Sequence, residues 1–489
     1  MKSASTAAAG AGGPPALKLS QRVAQQIVAD ISQGDWRVGD LLGTEAELIA
    51  KYGVSRATLG EAVRQVERQG IAVMRRGPRG GLTITAPATG AVSRTISTYL
   101  ELSDVSLEEQ FEAWRIVEVR ACGVAARRVT RQGVETLQAM LANIDETADP
   151  QEYLRRCMKV RIAIADLTGN PALALFIRVL VRVLGRKVYG PAFAEFIPEN
   201  LIIRQHLGEI VQAVANGDAV MAQAIAQMNL AVRRDAILGL REAGRLVSPA
   251  HQATGAHAPR GGDEKLAYVT AQRIRDDIAA MGWPTGEKVG DEAELLERYG
   301  VSRWVLRQAI RTLEVHAVIH SKRGQRGGLM VGLPDPEQTI TSASAYLQCA
   351  DFTVADLHEV WAHLLENLAG MAATNPKAAS SEIMKAAAQP SSSRSLSDFR
   401  DERRLFYREL SLLSLNRVVS LFVAILERFI NEMTHRPLEE RVLDLIARHR
   451  SLVAEAVLAG DAGRARRTMA DFMDLVREHT HGREEARTP

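Results

Sequence analysis

The sequence is poor in cysteine and aromatic residues, and it contains no long apolar run. Its three cysteines among 489 residues include no CxxC pair, so no disulfide framework is expected and a reducing compartment is favoured. No stretch reaches about 18 apolar residues, so no transmembrane helix is predicted. The first 15 residues carry one lysine and no apolar segment, which predicts a flexible tail rather than a signal peptide. These absences favour a cytoplasmic protein with no membrane partner.

Charge is nearly balanced over the chain, with 61 basic and 58 acidic residues and a formal net charge of +3. This balance indicates no particular partner, and the positions of the lysines and arginines are more informative. The length predicts three to four domains, because single hydrophobic cores stop growing at about 250–300 residues.

An internal repeat organises the chain. Residues 34–84 recur as residues 281–331 at a constant offset of 247 without a gap, and 22 of the 51 aligned positions are identical. A gapless match of this density indicates a duplication.

Each repeat carries the local signals of helix, turn, helix and hairpin. In the first copy Thr44 precedes EAELIAKY as an N-cap, Gly53 permits a left-handed turn, and Ser55 caps a second helix. Two short strands, at 71–74 and 82–85, are predicted around the basic tip RRGPRGG. The sequence therefore predicts a winged helix-turn-helix in each copy.

Long helical periods fill the rest of the chain. They run over 106–129, 131–146, 150–168, 171–188 and 201–243, and a second such region follows the second repeat. Within that second region the small, polar stretch 376–398 is predicted to be a loose loop. The fold class is therefore mainly α: two winged helix-turn-helix domains, each with a small β-hairpin wing, alternate with two all-helical domains.

The domain boundaries follow from these patterns and from a linker rich in proline, glycine, alanine and histidine. We expect disordered tails at 1–15 and 482–489, winged helix-turn-helix domains at 16–88 and 265–334, all-helical domains at 92–246 and 337–481, and the linker at 247–264.

The segment E-x-E-L-x-x-x-Y-G-V-S-R, followed by a helix and an R-G-x-R-G-G wing, resembles the DNA-binding domain of the GntR family of bacterial transcription regulators. The all-helical regions look like the ligand-binding domain of that family's FadR branch. The resemblance covers nearly the whole chain, twice. It implies a double-stranded DNA operator as partner and a small-molecule effector in the helical domains.

In such a module the second helix of the pair enters the major groove and the wing lies over the backbone or minor groove. Arginine can bond guanine in bidentate fashion, worth about 1–3 kcal/mol of discrimination. The expected DNA contacts in the first copy are Ser55, Arg56, Ala57, Thr58, Arg64, Arg75, Arg76, Gly77 and Arg79. In the second copy they are Ser302, Arg303, Trp304, Arg307, Arg311, Lys322, Arg323, Gly324 and Arg326. Any one of these alone would be read as a solvated helix residue or an ordinary basic turn.

The two copies depart from the family pattern in different ways. The family usually has an arginine where Ala46 and Ala293 stand. Many members also have an arginine at the position of Arg307, where the first copy has Gly60. Trp304 replaces a small or polar residue. The copies are therefore predicted to read different half-sites, the first more weakly, so that the operator need not be a true palindrome.

Many FadR-branch helical domains hold a divalent metal with one Asp and three His. The corresponding positions here hold Cys157, Arg161, Leu207 and Asn229 in the first region, and Arg403, Tyr407, Arg450 and Phe472 in the second. Neither set suits zinc, since most of these side chains cannot bind a metal. His206 and His449 lie one position from a family histidine, which turns each side chain by about 100°. No metal and no other cofactor is expected.

An effector pocket is predicted from a few bulky and charged residues. Trp114 and Trp361 stand where many members carry an arginine, which suggests a more apolar cavity suited to a lipid-like or aromatic effector. Both tryptophans would serve equally as core filling. Arg161 would hold an effector carboxylate or form a salt bridge with a neighbouring helix, and Tyr407 is its counterpart in the second region.

The resulting hypothesis is a sequence-specific transcription regulator, a repressor, located in the cytoplasm with the nucleoid. Its two halves pair within one chain as a pseudo-dimer on an operator with two half-sites. Two alternatives stay open: a homodimer of the tandem chain with four reading heads, and a DNA-bound scaffold without effector control. An enzyme is not expected, because no nucleophile–base set or phosphate loop is present.

Overall fold

The computed structural model describes residues 19–34, 38–75, 77, 80–85, 88–144, 150–188, 197–242, 263–322, 328–350, 352–389, 396–433 and 440–481. The chain divides into two compact units, Met1–Ala88 and Thr89–Pro489. The predicted tails lie outside the described residues. So does the predicted linker at 247–264, apart from its last two residues, which begin a helix. No helix in the described ranges is both long and apolar enough to cross a bilayer.

Among its described residues, the first unit has three helices and three short strands. They are α1 Leu19–Gln33, β1 Leu41–Gly43, α2 Glu45–Tyr52, α3 Arg56–Gln69, β2 Ala72–Arg75 and β3 Gly81–Ile84. Helices α1 and α3 pack together. The side chains of Ile27, Leu48 and Leu82 are fully buried, so helices and sheet share one apolar core.

The predicted helix caps of the first unit are confirmed. The Thr44 hydroxyl accepts a hydrogen bond from Glu47 N, and the Glu47 carboxylate accepts one from Thr44 N at 2.7 Å, which completes a capping box. Gly53 ends α2 in the left-handed region, at φ +62°. Ser55 then caps α3 by accepting from Thr58 N at 3.2 Å. These local bonds fix the tight turn between the two helices.

The wing is a three-stranded antiparallel sheet in the order β1-β3-β2. Ala72 pairs with Ile84 and Arg75 with Gly81, each strand lying one residue from its predicted position. The sequence did not predict β1, which has three residues. A Cβ atom on Gly81 would lie 2.5 Å from the carbonyl oxygen of Gly43, so the close approach of β3 to β1 requires a glycine there.

A second winged helix-turn-helix repeats this order within the second unit. Its elements are α11 Asp263–Ala280, β4 Lys288–Gly290, α12 Glu292–Tyr299, α13 Arg303–Val315, β5 Ile319–Lys322 and β6 Gly328–Val331. The strand order β4-β6-β5 matches that of the first sheet. The two copies differ at the residue that follows the second helix of each pair, α3 or α13. Gly70 takes φ +74° in the first copy, while the equivalent Ala317 takes φ +56°, a strained conformation for a residue with a Cβ atom.

Seven helices are present in the described part of the first helical region. They are α4 Thr89–Leu102, α5 Leu107–Arg128, α6 Arg131–Ala142, α7 Pro150–Asp166, α8 Pro171–Val188, α9 Ile197–Ala215 and α10 Ala219–Glu242. The predicted helical period 201–243 is thus two helices. They separate where Gly217 adopts φ +73° and its amide bonds Val214 O.

The second helical region has the same order, with a 3₁₀ turn and a shorter helix at the place of α6. It comprises α14 Glu337–Cys349, α15 Val354–Thr374, a 3₁₀ turn Ala378–Ser380, α16 Glu382–Ala388, α17 Leu396–Ser414, α18 Arg417–Met433, α19 Glu440–Leu458 and α20 Ala462–His481. The predicted loose loop at 376–398 was wrong for the 3₁₀ turn, for α16 and for the start of α17. Ser381 caps α16, and Met384 is fully buried, so local capping and one apolar anchor order this stretch. Residues 390–395 lie outside the described residues.

The two helical regions pack against each other through equivalent residues. Asn170 Nδ2 donates to Asp356 O at 3.0 Å, and Asn416 Nδ2 donates to Glu109 O at 3.1 Å. Each residue in the second bond lies 246 or 247 positions from its counterpart in the first. Reciprocal contacts of this kind characterise an isologous, two-fold interface.

The same pairing continues in the apolar core. The rings of Phe176 and Phe422, which are themselves equivalent, stack with centroids 4.0 Å apart and planes 7° apart. Both side chains are fully buried, so the two regions share one hydrophobic core.

The end of α4 packs against the second winged domain. Leu102 is fully buried in the same apolar cluster as Ile274 and Leu306. Asp104 Oδ1 accepts from Arg275 Nη1 at 2.8 Å. The second winged domain therefore takes part of its core from the helix that begins the first helical region.

Candidate nucleic-acid interface

The N-terminal turn of α3 presents the predicted reading residues of the first copy. Ser55, Arg56 and Ala57 are exposed, and Thr58 is half-buried. The hydroxyls of Ser55 and Thr58 lie 2.9 Å apart and form a hydrogen bond. Because the free amides of a helix N-terminus attract anions, this turn suits a DNA phosphate beside a base edge.

Arg56 is held by a carboxylate from the preceding helix. Its Nε and Nη2 atoms donate to the two oxygens of Glu45 at 2.9 and 2.8 Å, a bidentate ion pair. The hydrogen bond from Arg56 lowers the pKa of the Glu45 carboxyl, and the same pairing raises the pKa of Arg56. The Arg56 side chain stays 80% exposed, so the guanidinium is oriented but accessible.

The second copy has two arginines around the equivalent carboxylate. Arg307 Nε lies 3.0 Å and Arg303 Nε 3.6 Å from Glu292 Oε1, and both side chains are well over half exposed. Ser302 caps α13 by accepting from Val305 N at 3.3 Å. Trp304 is 47% exposed, so an indole face is presented at the head of this helix.

Arginines follow one side of the second reading helix. Residues four apart share a helix face, and α13 carries exposed arginines at three such positions, Arg303, Arg307 and Arg311. The equivalent positions of α3 hold Arg56, Gly60 and Arg64. The first reading helix therefore carries a gap in the middle of its basic face.

The wings are described only in part. Arg75 is exposed at the end of β2, and Lys322 is exposed at the end of β5. Gly77 has φ +115°, a conformation open to glycine, which bends the tip of the first wing. The other predicted wing contacts lie outside the described residues: Arg76, Arg79, Arg323, Gly324 and Arg326.

Sequence reasoning missed the two acidic residues that hold the reading arginines. These are Glu45 and Glu292, which lie in the first turns of α2 and α12. Their role depends on the angle between two helices, which the spacing of eleven residues to the arginine does not reveal. The signal that could have suggested it is the recurrence of the same glutamate and arginine in both copies.

The centre of the first helical region contains a buried charged cluster around two predicted effector residues, Trp114 and Arg161. Arg161 Nη1 donates to a carboxylate oxygen of Glu118, and its Nη2 donates to Asn229 Oδ1 at 2.6 Å. Arg233 Nη1 donates to the other Glu118 oxygen at 3.1 Å. The guanidinium carbon of Arg233 lies 4.3 Å from the centroid of the Trp114 ring, a cation–π contact.

Glu118 and Arg233 were not predicted from the sequence, although helical spacing could have found them. Glu118 lies four residues after Trp114 on α5, and Arg233 lies four residues after Asn229 on α10, so each shares a face with a candidate already named. Burial, followed by the neighbouring charge of Arg161, lowers the pKa of Arg233 to about 9. Burial and the neighbouring arginine therefore disfavour the charged form of Arg233.

The centre of the second helical region combines aromatic side chains with a buried arginine, Arg450, which donates to Glu402 at 2.7 Å. Trp361 and Tyr407 meet edge to face, with ring centroids 5.6 Å apart. Both are buried, and burial raises the pKa of the Tyr407 phenol above its usual range. The positions of Glu118 and Asn229 are taken by Leu365 and Phe472. The two predicted effector sets therefore lie in unlike surroundings.

Neither centre fits the divalent metal that the family resemblance implies. Of Cys157, Arg161, Leu207 and Asn229, only the cysteine is a good zinc ligand, and burial raises the pKa of its thiol. Two guanidiniums beside it would repel a cation. Within the described ranges, no group of three or more His, Cys, Asp or Glu side chains is arranged to hold a metal ion.

Two family models match the chain over the elements just described. The model "Bacterial regulatory proteins, gntR family" matches residues 19–81 and 266–328, which hold the two winged domains. The model "FCD domain" matches residues 109–231, within the first helical region.

Three curated relatives are named as regulators. The chain is 26% identical over 218 residues to the HTH-type transcriptional repressor NanR of Cronobacter sakazakii. This match covers 44% of the chain and 83% of NanR. It is 28% identical over 154 residues to the Uxu operon regulator of Haemophilus influenzae. This match covers 31% of the chain and 55% of that regulator. It is 30% identical over 163 residues to the uncharacterized HTH-type transcriptional regulator YcbG of Bacillus subtilis. This match covers 33% of the chain and 67% of YcbG.

Proposed function

The chain belongs to the GntR family of bacterial transcription regulators, and from that premise we propose that its two halves act as one intramolecular pseudo-dimer on an operator with two half-sites. Family membership makes the chain a DNA-binding regulator. We propose in addition the pairing of the halves, repression as the sign of regulation, and effector control.

One observation carries the pairing: the reciprocal contacts between the helical regions. Asn170 bonds Asp356 O and its counterpart Asn416 bonds Glu109 O, while Phe176 stacks on its own counterpart Phe422. A regulator made of two separate subunits would use such an interface to form its dimer. Here both sides belong to the same chain, which supports one reader per polypeptide.

The two reading helices support an asymmetric operator. Helix α13 carries Arg307 and the exposed Trp304, where α3 carries Gly60 and Ala57. An additional arginine at a base edge or phosphate strengthens one half-site. The second half therefore contributes more of the affinity, and the two half-sites differ in sequence.

Repression under effector control is the proposed mode of action. A relative of this chain is named a repressor, and the helical region matched by the FCD model is the place for an effector. An effector changes DNA affinity only by its differential affinity for two states of the protein. A DNA-bound scaffold without effector control is the second candidate, and the misfit of both centres to the divalent metal implied by the family favours it.

Mapping of binding sites across the genome, followed by mobility-shift titration on the mapped site, tests the proposal. We expect one chain per operator, and a larger loss of affinity for Arg303→Ala than for Arg56→Ala. Two chains per operator would favour the homodimer of the tandem chain. Negligible and equal losses for both variants would refute the assignment of the reading helices. If no metabolite raises the Tm in a thermal-shift screen, the scaffold without effector control is favoured.

A further inference from the structure

We infer that the solvent-facing side of helix α10 is a docking surface for a second copy of the chain. The inference goes beyond the proposed function, which a single chain fulfils alone. It follows from the residue types that α10 exposes, from their spacing, and from a comparison with the equivalent helix of the second helical region.

The exposed face of α10 carries no charge over its first four turns. The 14 residues Ala219–Val232 contain no Asp, Glu, Lys or Arg. Val220, Met221 and Met228 are nonetheless 78%, 51% and 55% exposed. Single exposed apolar residues are common, but a helix at a protein surface usually has charged or polar residues on the face turned to water. An uncharged face of this length therefore indicates a contact surface.

The equivalent helix of the second region, α20, has an ordinary charged face. Gly217 and Gly460 align the two helices, because each adopts a left-handed conformation two residues before its helix begins. The 14 residues of α20 that correspond to Ala219–Val232 include five charged residues. The fold does not require apolar residues at these exposed positions, so the apolar face is particular to α10. Three pairs of exposed residues show the difference: Met221 and Arg464, Ala224 and Arg467, Met228 and Asp471.

The spacing of the exposed residues fits a second helix. Met221, Ala224, Met228 and Ala231 follow one another at intervals of three, four and three residues. This is the spacing of the seam between two helices that pack side by side. The alanines permit a close approach, and methionine side chains adapt to the gaps around them. A convex helix face encloses no small molecule, so its partner is a macromolecule.

The same face of a second copy is the partner that this seam fits. Across a two-fold axis each residue lies near its own copy or near that copy's neighbours, so a charge in the seam would meet like charge. The uncharged seam avoids that repulsion. It is about 20 Å long and about 10 Å wide, which is too small for the roughly 1,200–2,000 Å² of total surface that stable interfaces bury. We therefore expect a reversible pair at micromolar concentrations and single chains at the nanomolar concentrations of an operator titration.

A pair of this kind has a consequence for DNA binding. Two paired chains carry two readers, so they join two operators. Operators on the same DNA hold their two chains at a high local concentration, at which a weak contact is sufficient. This consequence rests on the proposed function, whereas the pairing itself does not.

Sedimentation equilibrium of the full chain without DNA, from about 1 to about 100 μM, tests the pairing. We expect the average mass to rise with concentration from one chain towards two. A mass of one chain over the whole range would overturn the inference. A mass that passes two chains would overturn it as well, because an isologous contact closes at the dimer.

A matched pair of variants ties the association to α10. Ala224→Arg introduces the residue that α20 has at the equivalent position, so two copies should repel and the chain should stay single. Ala139→Arg adds the same charge to an exposed alanine of α6 and should pair like the wild type. Both substitutions are at exposed positions, so both variants should keep the Tm of the wild type. Pairing by Ala224→Arg, or equal loss of pairing in both variants, refutes the surface.

Operator binding at nanomolar protein concentration separates this inference from the proposed function. Single chains bind there, so the wild type and Ala224→Arg should have the same affinity for one operator. Failure of the wild type to bind any mapped operator would count against the proposed function and leave the pairing standing. A wild type that binds its operator but never pairs would leave the proposed function standing and refute the docking surface.

Discussion

The Nε atom of Arg307 lies 3.0 Å from Oε1 of Glu292, in a contact that has no counterpart in the first copy. There the equivalent residue is Gly60, and Arg56 alone takes both oxygens of Glu45. Duplication has thus produced two reading heads with the same scaffold and different arginine content.

Gly60→Arg should strengthen the first reading head. A Cβ atom at Gly60 would meet only Arg64 Nη1, at 3.7 Å, so the side chain fits without displacing the backbone. The new arginine would complete the basic face of α3, and we expect roughly threefold to tenfold tighter operator binding by fluorescence anisotropy.

Gly60→Ala is the control for that variant. It removes the helix-weakening effect of glycine, worth about 1 kcal/mol, and adds no charge. We expect higher thermal stability of the first unit and unchanged DNA affinity. An equal gain in affinity for both variants would mean that helix stability, and not the arginine, limits the first head.

Glu45→Gln should free Arg56 and tighten DNA binding at low salt. The exposed ion pair contributes about 0–1 kcal/mol, and the carboxylate repels the DNA phosphates nearby. An increase in affinity of up to about fivefold is expected, fading as salt rises. Glu297→Gln on α12 makes the same change of charge away from the reading arginines. The prediction fails if the two variants behave alike, since net charge alone would then explain the gain.

Ala317 and Gly70 are equivalent residues with left-handed backbone conformations. Replacing each by the residue found in the other copy should change the free energy of unfolding in opposite directions. Ala317→Gly relieves a strained residue at φ +56° and should stabilise the second winged domain by up to about 1 kcal/mol. Gly70→Ala introduces that strain at φ +74° and should destabilise the first by about 1 kcal/mol. Calorimetry of the two full-length variants provides the comparison. A loss of stability in Ala317→Gly would show that the backbone there is not strained.

Acid should destabilise the contact between the second winged domain and α4 through His316. Burial lowers the pKa of His316 to about 4, and its ring lies near that of Tyr99, with centroids 6.2 Å apart. The unfolded chain binds a proton near pH 6.5 and the folded chain does not, so this contribution is present above about pH 6.5 and is lost as pH falls towards 4. Unfolding of His316→Gln should depend less on pH over that window. If the wild type and His316→Gln show the same pH dependence of unfolding, His316 does not cause the loss of stability in acid.

Local chemistry made the winged domains predictable. Thr44, Gly53 and Ser55 act through bonds to residues three or four away, so their roles are written in the nearby sequence. Strand β1 escaped prediction because three residues carry no period and need the partner strand to be recognised. The stretch 376–398 was misjudged because small polar residues also form short helices when one side chain, here Met384, is buried.

Helical spacing could have named the members of the charged cluster, but the sequence does not show that they meet. Arg161 was recognised as a candidate, but Glu118 and Arg233 come from helices far apart in the chain. Their meeting depends on how α5, α7 and α10 pack, which periodicity does not specify. The stacking of Phe176 on Phe422 was likewise visible only once both helical regions were placed together.

The stacked rings of Phe176 and Phe422 also bear on gene dosage. Subunits that associate freely come apart on dilution, so a cell with few copies holds mostly unpaired regulator. Two partners joined in one chain meet at a local concentration on the order of millimolar, whatever the copy number. In the proposed pseudo-dimer, the amount of paired protein rises in direct proportion to synthesis, and no separate subunit is left to exchange with related regulators.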